Sequence, residues 1–239
     1  MRLLLILIFL IVFFLLLLML LNYQNHLVFK GNEKDNTVLY LLYNDEDISA
    51  FKHRQVIPLR IKAQNEYFES QAFREIGLIP YVDNIGFITP SFFRKQKLTL
   101  DELLLKFGGG RLQKTLGLVE AEDNRLAFLT KFHGENFIKI WRWLISELGY
   151  KDHVNDDFKG FAANMWISNR EFVVNFIRVA RRAMDLCDKA PPHIKELLYS
   201  DTHYNGSVKN KMMERFGVPH YPFHPFILEN LACFLAHLE

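Results

Sequence analysis

The chain has 239 residues, with 29 lysines and arginines against 27 aspartates and glutamates, for a net charge of +2 with histidine neutral. That balance, without any basic run interleaved with aromatics, excludes a nucleic-acid surface built on charge. Half of the residues are hydrophobic, a figure inflated by one N-terminal run, and the remainder is long enough to bury a single sizeable core.

After Met1 and Arg2, an unbroken apolar run extends from Leu3 to Leu21 and ends at Asn22, Tyr23 and Gln24. As a helix rising about 1.5 Å per residue it reaches about 28 Å, close to the hydrocarbon thickness of a bilayer. A cleaved signal peptide has an apolar core of about 7 to 15 residues followed by small residues, so this run reads as a signal anchor. Arg2 on the short side favours a cytoplasmic N-terminus and a type II orientation, with the domain lumenal or extracytoplasmic. The organisation expected is an anchor over 1–21, a polar stalk over 22–36 and one folded domain over 37–239.

Within the domain, Val38–Tyr43 is a continuous apolar run bounded by Asn44-Asp45-Glu46-Asp47 and reads as a buried first strand. Val56–Ile61 is a second strand, although Pro58 weakens it. From Glu66, the spacing of Phe68, Ala72, Phe73 and Ile76 predicts a helix capped by Gly77, and Tyr81–Thr89 reads as a further strand. Strand, strand, helix, strand in this order indicates an α/β sheet.

Thr99-Leu100-Asp101-Glu102 has the form of a capping box opening a helix to about Phe107, which Gly108-Gly109-Gly110 ends as a flexible loop. A longer helix is predicted over Glu135–Leu148, with Phe137, Ile140, Trp141, Leu144 and Leu148 on one face and Gly149 at its close. Ser168-Asn169-Arg170-Glu171 reads as a second capping box, before a helix burying Phe172, Val173, Phe176, Ile177, Ala180, Ala183 and Met184 up to Pro191-Pro192. A last helix follows Pro225 through Phe226, Ile227, Leu231 and Leu235. The fold class expected is therefore α/β, a mixed sheet with a more helical C-terminal half.

Cys187 and Cys233 lie in apolar helical patterns and read as buried free thiols. Asn205-Gly206-Ser207 is a glycosylation sequon, in keeping with a lumenal domain. No P-loop, dinucleotide fingerprint, HExxH, paired CxxC or GxSxG occurs. Asp45-Glu46-Asp47 has carboxylates spaced for one divalent cation, but its plainer reading is a solvated acidic turn. Asp83-Asn84 is either a functional pair or a bulge or edge position. His220 and His224 are separated by prolines that forbid the helix of a zinc motif, and they can line a pocket only from a loop. Asn164, Trp166 and Tyr204 fall near expected helix starts, where polar and aromatic groups meet ligands, and core packing is the plainer reading of Trp166. Asp201 and Glu229 are carboxylates flanked by aromatics, each a candidate general base, with capping or ion pairing as the alternative.

Four segments, taken in order, resemble conserved blocks of GT-A-type glycosyltransferase domains of large DNA viruses and bacterial polysaccharide gene clusters. They are Asn65-Glu66-Tyr67-Phe68-Glu69-Ser70-Gln71, Tyr81-Val82-Asp83-Asn84-Ile85-Gly86-Phe87-Ile88-Thr89-Pro90-Ser91-Phe92, Asn164-Met165-Trp166-Ile167, and His220-Tyr221-Pro222-Phe223-His224-Pro225-Phe226-Ile227-Leu228-Glu229. The resemblance implies a GT-A-like, Rossmann-like sheet and transfer of a sugar from a nucleotide-diphosphate donor to a glycan acceptor. It implies Mn or Mg held by an Asp-x-Asp motif, whose place falls at Asp83, although Ile85 stands where the second carboxylate belongs. Glu66, Glu69 and Asp83 would then border the donor, with Arg60 and Lys62 stabilising the diphosphate. Asn164, Trp166, Asp201, His224 and Glu229 would border the acceptor, with Asp201, Glu229 and His224 as catalytic candidates. The alternatives from other classes are a non-catalytic membrane-anchored binding or assembly protein and a membrane-tethered hydrolase with two carboxylates.

Overall fold

A computed structural model describes residues 36–61, 65–92, 98–107, 110–118, 124–161, 164–204, 212–214 and 217–239. The expected anchor, most of the stalk, Lys62, Gly108, Gly109 and the sequon lie outside the described residues. Among the described residues, no helix is long and apolar enough to cross a membrane.

The protein is α/β, built on a five-stranded mixed sheet in the order β2-β1-β3-β5-β4. β1 (Thr37–Tyr43) pairs in parallel with β2 (Val56–Arg60) on one side and with β3 (Asn84–Ile88) on the other. β5 (Trp166–Asn169) runs antiparallel to β3 and carries the two-residue β4 (Leu116–Gly117) at its edge. Pro58 fits because β2 is itself an edge strand, where a missing N–H costs no ladder bond on the open side.

Alternation along the strands feeds two cores. Val38, Tyr40, Leu42, Ile85, Phe87 and Trp166 face the larger one, while Leu39, Leu41, Ile88 and Ile167 face the smaller. The larger core is covered by the helices of the second half: α3 (Arg125–His133), α4 (Glu135–Glu147), α5 (Arg170–Asp188), α6 (Pro192–Leu198) and α7 (His224–His237). At its centre Phe73, Phe87, Trp166 and Phe176 meet ring to ring at 4.7–5.4 Å, three of those contacts edge-on or nearly so, the arrangement aromatic quadrupoles favour. The smaller core is closed by α2 (Leu100–Phe107), through Leu100, Leu103, Leu104 and Phe107. Cys187 and Cys233 are buried free thiols, both pushed up to about 12 by burial.

Several local expectations change in detail. The segment from Glu66 is a 3₁₀ turn over Phe68–Gln71 followed by one short helix, α1 (Ala72–Glu75), and the chain leaves it through Ile76 in an extended conformation instead of a Gly77 cap. The third strand starts at Asn84, not Tyr81, because Arg170 N–H takes the Asp83 carbonyl as the chain enters the sheet. The capping box at Thr99 forms as expected: Glu102 N–H donates to Thr99 Oγ1, and the Glu102 carboxylate takes Thr99 N–H at 2.7 Å. The second box does not form as expected, since Asn169 is the cap, accepting from Phe172 N–H at 2.9 Å, while Ser168 belongs to β5 and bonds Thr115. Gly149 closes α4 with φ 100, as a left-handed terminus demands.

Candidate functional site

Ligand sites in open parallel sheets gather outside the carboxyl ends of the strands, where chain connections diverge. Here the connection from β1 leads to β2 on one side, and β3 enters on the other, so the divergence lies between β1 and β3. Thr89, Pro90 and Ser91 follow β3 at that edge. The antiparallel register, Phe87 opposite Trp166, brings Asn164 to the same end.

At this edge lies a cleft of about 400 Å³. Its lining is partly polar, with Glu69, Thr89, Ser91, Asn164, Glu229 and Asn230, and partly aromatic, chiefly Phe68, Phe128, Phe132, Tyr204, Tyr221 and Phe226. Arg125 and His133, both on α3, stand at its base, 7% and 3% exposed. The Arg125 Nε donates to Asn230 Oδ1 at 2.7 Å, and its terminal nitrogen lies 3.8 Å from Glu229. His133 Nδ1 meets the Thr202 carbonyl at 2.7 Å, which makes Nδ1 the donor and Nε2 the acceptor of a neutral ring. Burial pushes the His133 pKa below the ordinary imidazole value, so the ring stays neutral at pH 7.

Two observations set this cleft apart from ordinary surface. Among the described residues, three that are not glycine have positive φ: Phe68 at 50°, Asn164 at 50° and His203 at 54°. Phe68 and Asn164 line the cleft and His203 precedes the lining residue Tyr204, so backbone strain gathers at one place. Asn164 is 5% exposed, its Nδ2 donates to Ser70 Oγ, and its Oδ1 has no hydrogen-bond partner among the described residues. A buried carbonyl oxygen left unbonded costs about 1–3 kcal/mol, which a ligand donor would recover.

Of the residues singled out in the sequence, the cleft brings together Glu69, Asn164 and Glu229, with Tyr204. Glu66 turns aside, accepting from Tyr199 Oη at 3.2 Å. Arg60 lies at the carboxyl end of β2, paired with Asp45 at 2.7 Å and donating to the Asn44 carbonyl. Asp47 and Glu46 cap Ser49 and Asn44, so the acidic run is a solvated turn. Asp83 stands at the opposite, amino end of β3, about 20 Å of strand from Thr89 at about 3.3 Å per residue. Its neighbour Asn84 is a buried clamp, donating to the Phe107 and Gly110 carbonyls and accepting from Leu112 N–H. Asp201 caps His203 N–H in a turn. Trp166 is fully buried in β5, within a strand instead of at a helix start.

His224 begins α7 with its ring 5.1 Å from both Tyr67 and Tyr199, outside the cleft lining. His220 Nε2 donates to the Tyr199 carbonyl at 2.8 Å. Among the described residues, no three histidine, cysteine, aspartate or glutamate side chains are grouped to hold a metal ion, and Asp83 has no second carboxylate beside it. Asp83 could offer Mn or Mg a single carboxylate, from the end of β3 away from the cleft.

Arg125, Phe128, Phe132, His133 and Asn230 line the cleft and were not singled out in the sequence, and Thr89 and Ser91 entered only as part of a resemblance block. Thr89 and Ser91 carried a signal, as small polar residues directly after a strand, whereas Arg125 and His133 lie on a helix with no clear apolar stripe. Comparison with protein-family models, curated proteins and solved structures finds no match, so fold and site stand on their own geometry.

Proposed function

We propose that the protein is a membrane-anchored glycosyltransferase of GT-A-like fold, moving a sugar from a nucleotide-diphosphate donor to a glycan hydroxyl. The observation that carries this reading is the cleft beyond β3, lined together by strained Phe68 and Asn164, whose Oδ1 has no partner among the described residues, and by Glu69 and Glu229. In this reading the nucleotide sits at the carboxyl ends of the parallel strands, where the connections of β1 and β3 diverge, with its sugar toward the cleft. The apolar run over 3–21 would hold the domain beside the membrane. A divalent cation, Mn or Mg, enters this reading through the sequence resemblance alone.

In this mechanism Glu229 accepts the proton of the acceptor hydroxyl as its oxygen bonds to the anomeric carbon of the donor sugar. The bond from that carbon to the diphosphate oxygen breaks, and the nucleoside diphosphate leaves with the electron pair. Arg125 holds the Glu229 carboxylate in place from beneath and is a positioning residue.

The test is nucleotide release from a panel of uridine, guanosine, thymidine and cytidine sugar nucleotides by the full-length chain, with and without Mn²⁺ and Mg²⁺. Release that falls at least about a hundredfold in Glu229→Gln, with an unchanged melting profile, supports the transferase. Binding of a sugar nucleotide without release favours the non-catalytic binding protein, for which the separation of Asp83 from the cleft is the specific support. Neither binding nor release removes both readings.

A further inference from the structure

The cleft is lined by groups of two unlike kinds, and together they specify the occupant. Tyr204, Tyr221 and Phe226 form a triangle of rings with centroids 5.4, 5.4 and 6.4 Å apart, and Phe68 extends it at 5.2 Å from Tyr221. Tyr204 is 47% exposed, a large apolar ring left facing the cleft. The polar part of the lining is rich in acceptors: the Glu69 and Glu229 carboxylates, which only accept when ionised, and Asn164, whose Oδ1 has no partner among the described residues. His133, with Nδ1 turned to the Thr202 carbonyl, adds an acceptor and not a donor.

An acceptor-rich lining calls for a ligand that donates many hydrogen bonds. A phosphate donates none and would meet two carboxylates against one guanidinium already engaged with Asn230 and Glu229. A nucleobase stacks well but brings few donors. A pyranose has both required sides, an apolar face of C–H groups for the rings and a rim of hydroxyls for the acceptors. We propose that the cleft is the acceptor subsite and takes a pyranoside, with its C–H face on Tyr204 and Tyr221 and its hydroxyls toward Asn164, Glu69 and Glu229. This deepens the glycosyltransferase reading and rests on it for the word acceptor, although saccharide binding itself does not.

The experiment is calorimetric titration of the full-length chain with methyl glucoside, methyl galactoside, methyl mannoside and methyl N-acetylglucosaminide, in a detergent that has no sugar headgroup. At least one pyranoside is expected to bind, about tenfold more weakly in Tyr204→Ala and in Tyr221→Ala, since a lost ring contact of this kind shifts affinity by about that factor. Tyr204→Phe, which keeps the ring, should bind within about threefold of the parent. Melting curves of each variant separate lost binding from lost folding. Failure of every pyranoside to bind overturns the proposal, as does binding indifferent to both alanine substitutions.

Nucleotide release measured on the same samples separates the two readings. Release without pyranoside binding would sink the stacking subsite and leave the transferase standing. Pyranoside binding without release would keep the subsite and remove the transferase.

Discussion

The Arg125 guanidinium lies 3.8 Å from the Glu229 carboxylate and donates from Nε to Asn230 Oδ1 at 2.7 Å, so one buried cation holds two successive residues of α7. This contact joins α3, which supplies the base of the cleft, to α7, which supplies its carboxylate. Gly160 lies against the same side chain, because a Cβ there would meet Arg125 Cδ at 2.5 Å.

Arg125→Met keeps most of the stem and removes the charge. It strands Asn230 Oδ1 and leaves a carboxylate beside an apolar chain, and breaking such a pair costs about 3 kcal/mol, the lower end of the range because Glu229 is 22% exposed. Urea denaturation should read this as a lower midpoint with an unchanged slope. In the transferase reading, nucleotide release falls by about tenfold or more in kcat, since the base is present but no longer oriented. A variant as stable and as active as the parent would show that the pair holds nothing in place.

The cap of α5 separates two adjacent polar residues. Asn169 accepts from Phe172 N–H and also donates to the Leu112 carbonyl, while Ser168 points to Thr115 across the sheet. Asn169→Ala should cost about 1 kcal/mol or slightly more and speed hydrogen exchange at the Phe172 amide. Ser168→Ala should leave that amide protected, and equal exchange in the two variants would refute the assignment.

That one-residue difference shows how far the sequence reaches. Val38–Tyr43, the Thr99 box and the stripe of Phe137, Trp141 and Leu144 were legible because each is driven by local chemistry or by simple periodicity. β5 was not, because its four residues are buried on both faces and show no alternation, and its pairing with β3 is set by contacts some eighty residues away in the chain. α3 was missed because it buries Arg125 and His133 where a packed helix would place apolar residues, so its stripe is broken. Glu69, Asn164 and Glu229 were found by residue type, but their convergence required the register of β5 against β3. Asp83 lies just before the amino end of β3 while the cleft lies beyond its carboxyl end, and sequence spacing does not tell the two ends apart.

Gly86 sits at the middle of β3, where an added Cβ would lie 2.6 Å from Leu39 Cδ2, 3.2 Å from the Trp166 carbonyl oxygen and 3.3 Å from Ile167 Cβ. Two of those atoms belong to the neighbouring strand, so little can yield, and Gly86→Ala should destabilise by about 2 kcal/mol. Gly77→Ala is the matched control, with nothing within 4 Å of its added Cβ, and should shift stability by less than about 0.5 kcal/mol. Equal midpoints for the two variants would contradict the close approach of β1, β3 and β5.

His224 was a catalytic candidate, and its surroundings give it a different task. The ring is 2% exposed, lies between the Tyr67 and Tyr199 rings, and is held down to about 4 by burial, with the Asp188 charge acting weakly the other way. Unfolded, it titrates near 6.5, so between about 6.5 and 4 the unfolded chain binds the extra proton and stability falls as the pH drops. The contribution is complete above 6.5 and is lost as the pH falls to about 4, amounting to about 3 kcal/mol over the window. His133, lowered by burial as well, acts in the same direction. His224→Phe keeps a ring between the two tyrosines and carries no proton, so urea midpoints at pH 7 and near pH 4.5 should lie closer together than in the parent. In the transferase reading, nucleotide release by the variant should persist, because the ring lines no part of the cleft. An acid sensitivity identical to the parent's would show that the imidazole is solvated, and loss of release with folding intact would return His224 to the chemistry.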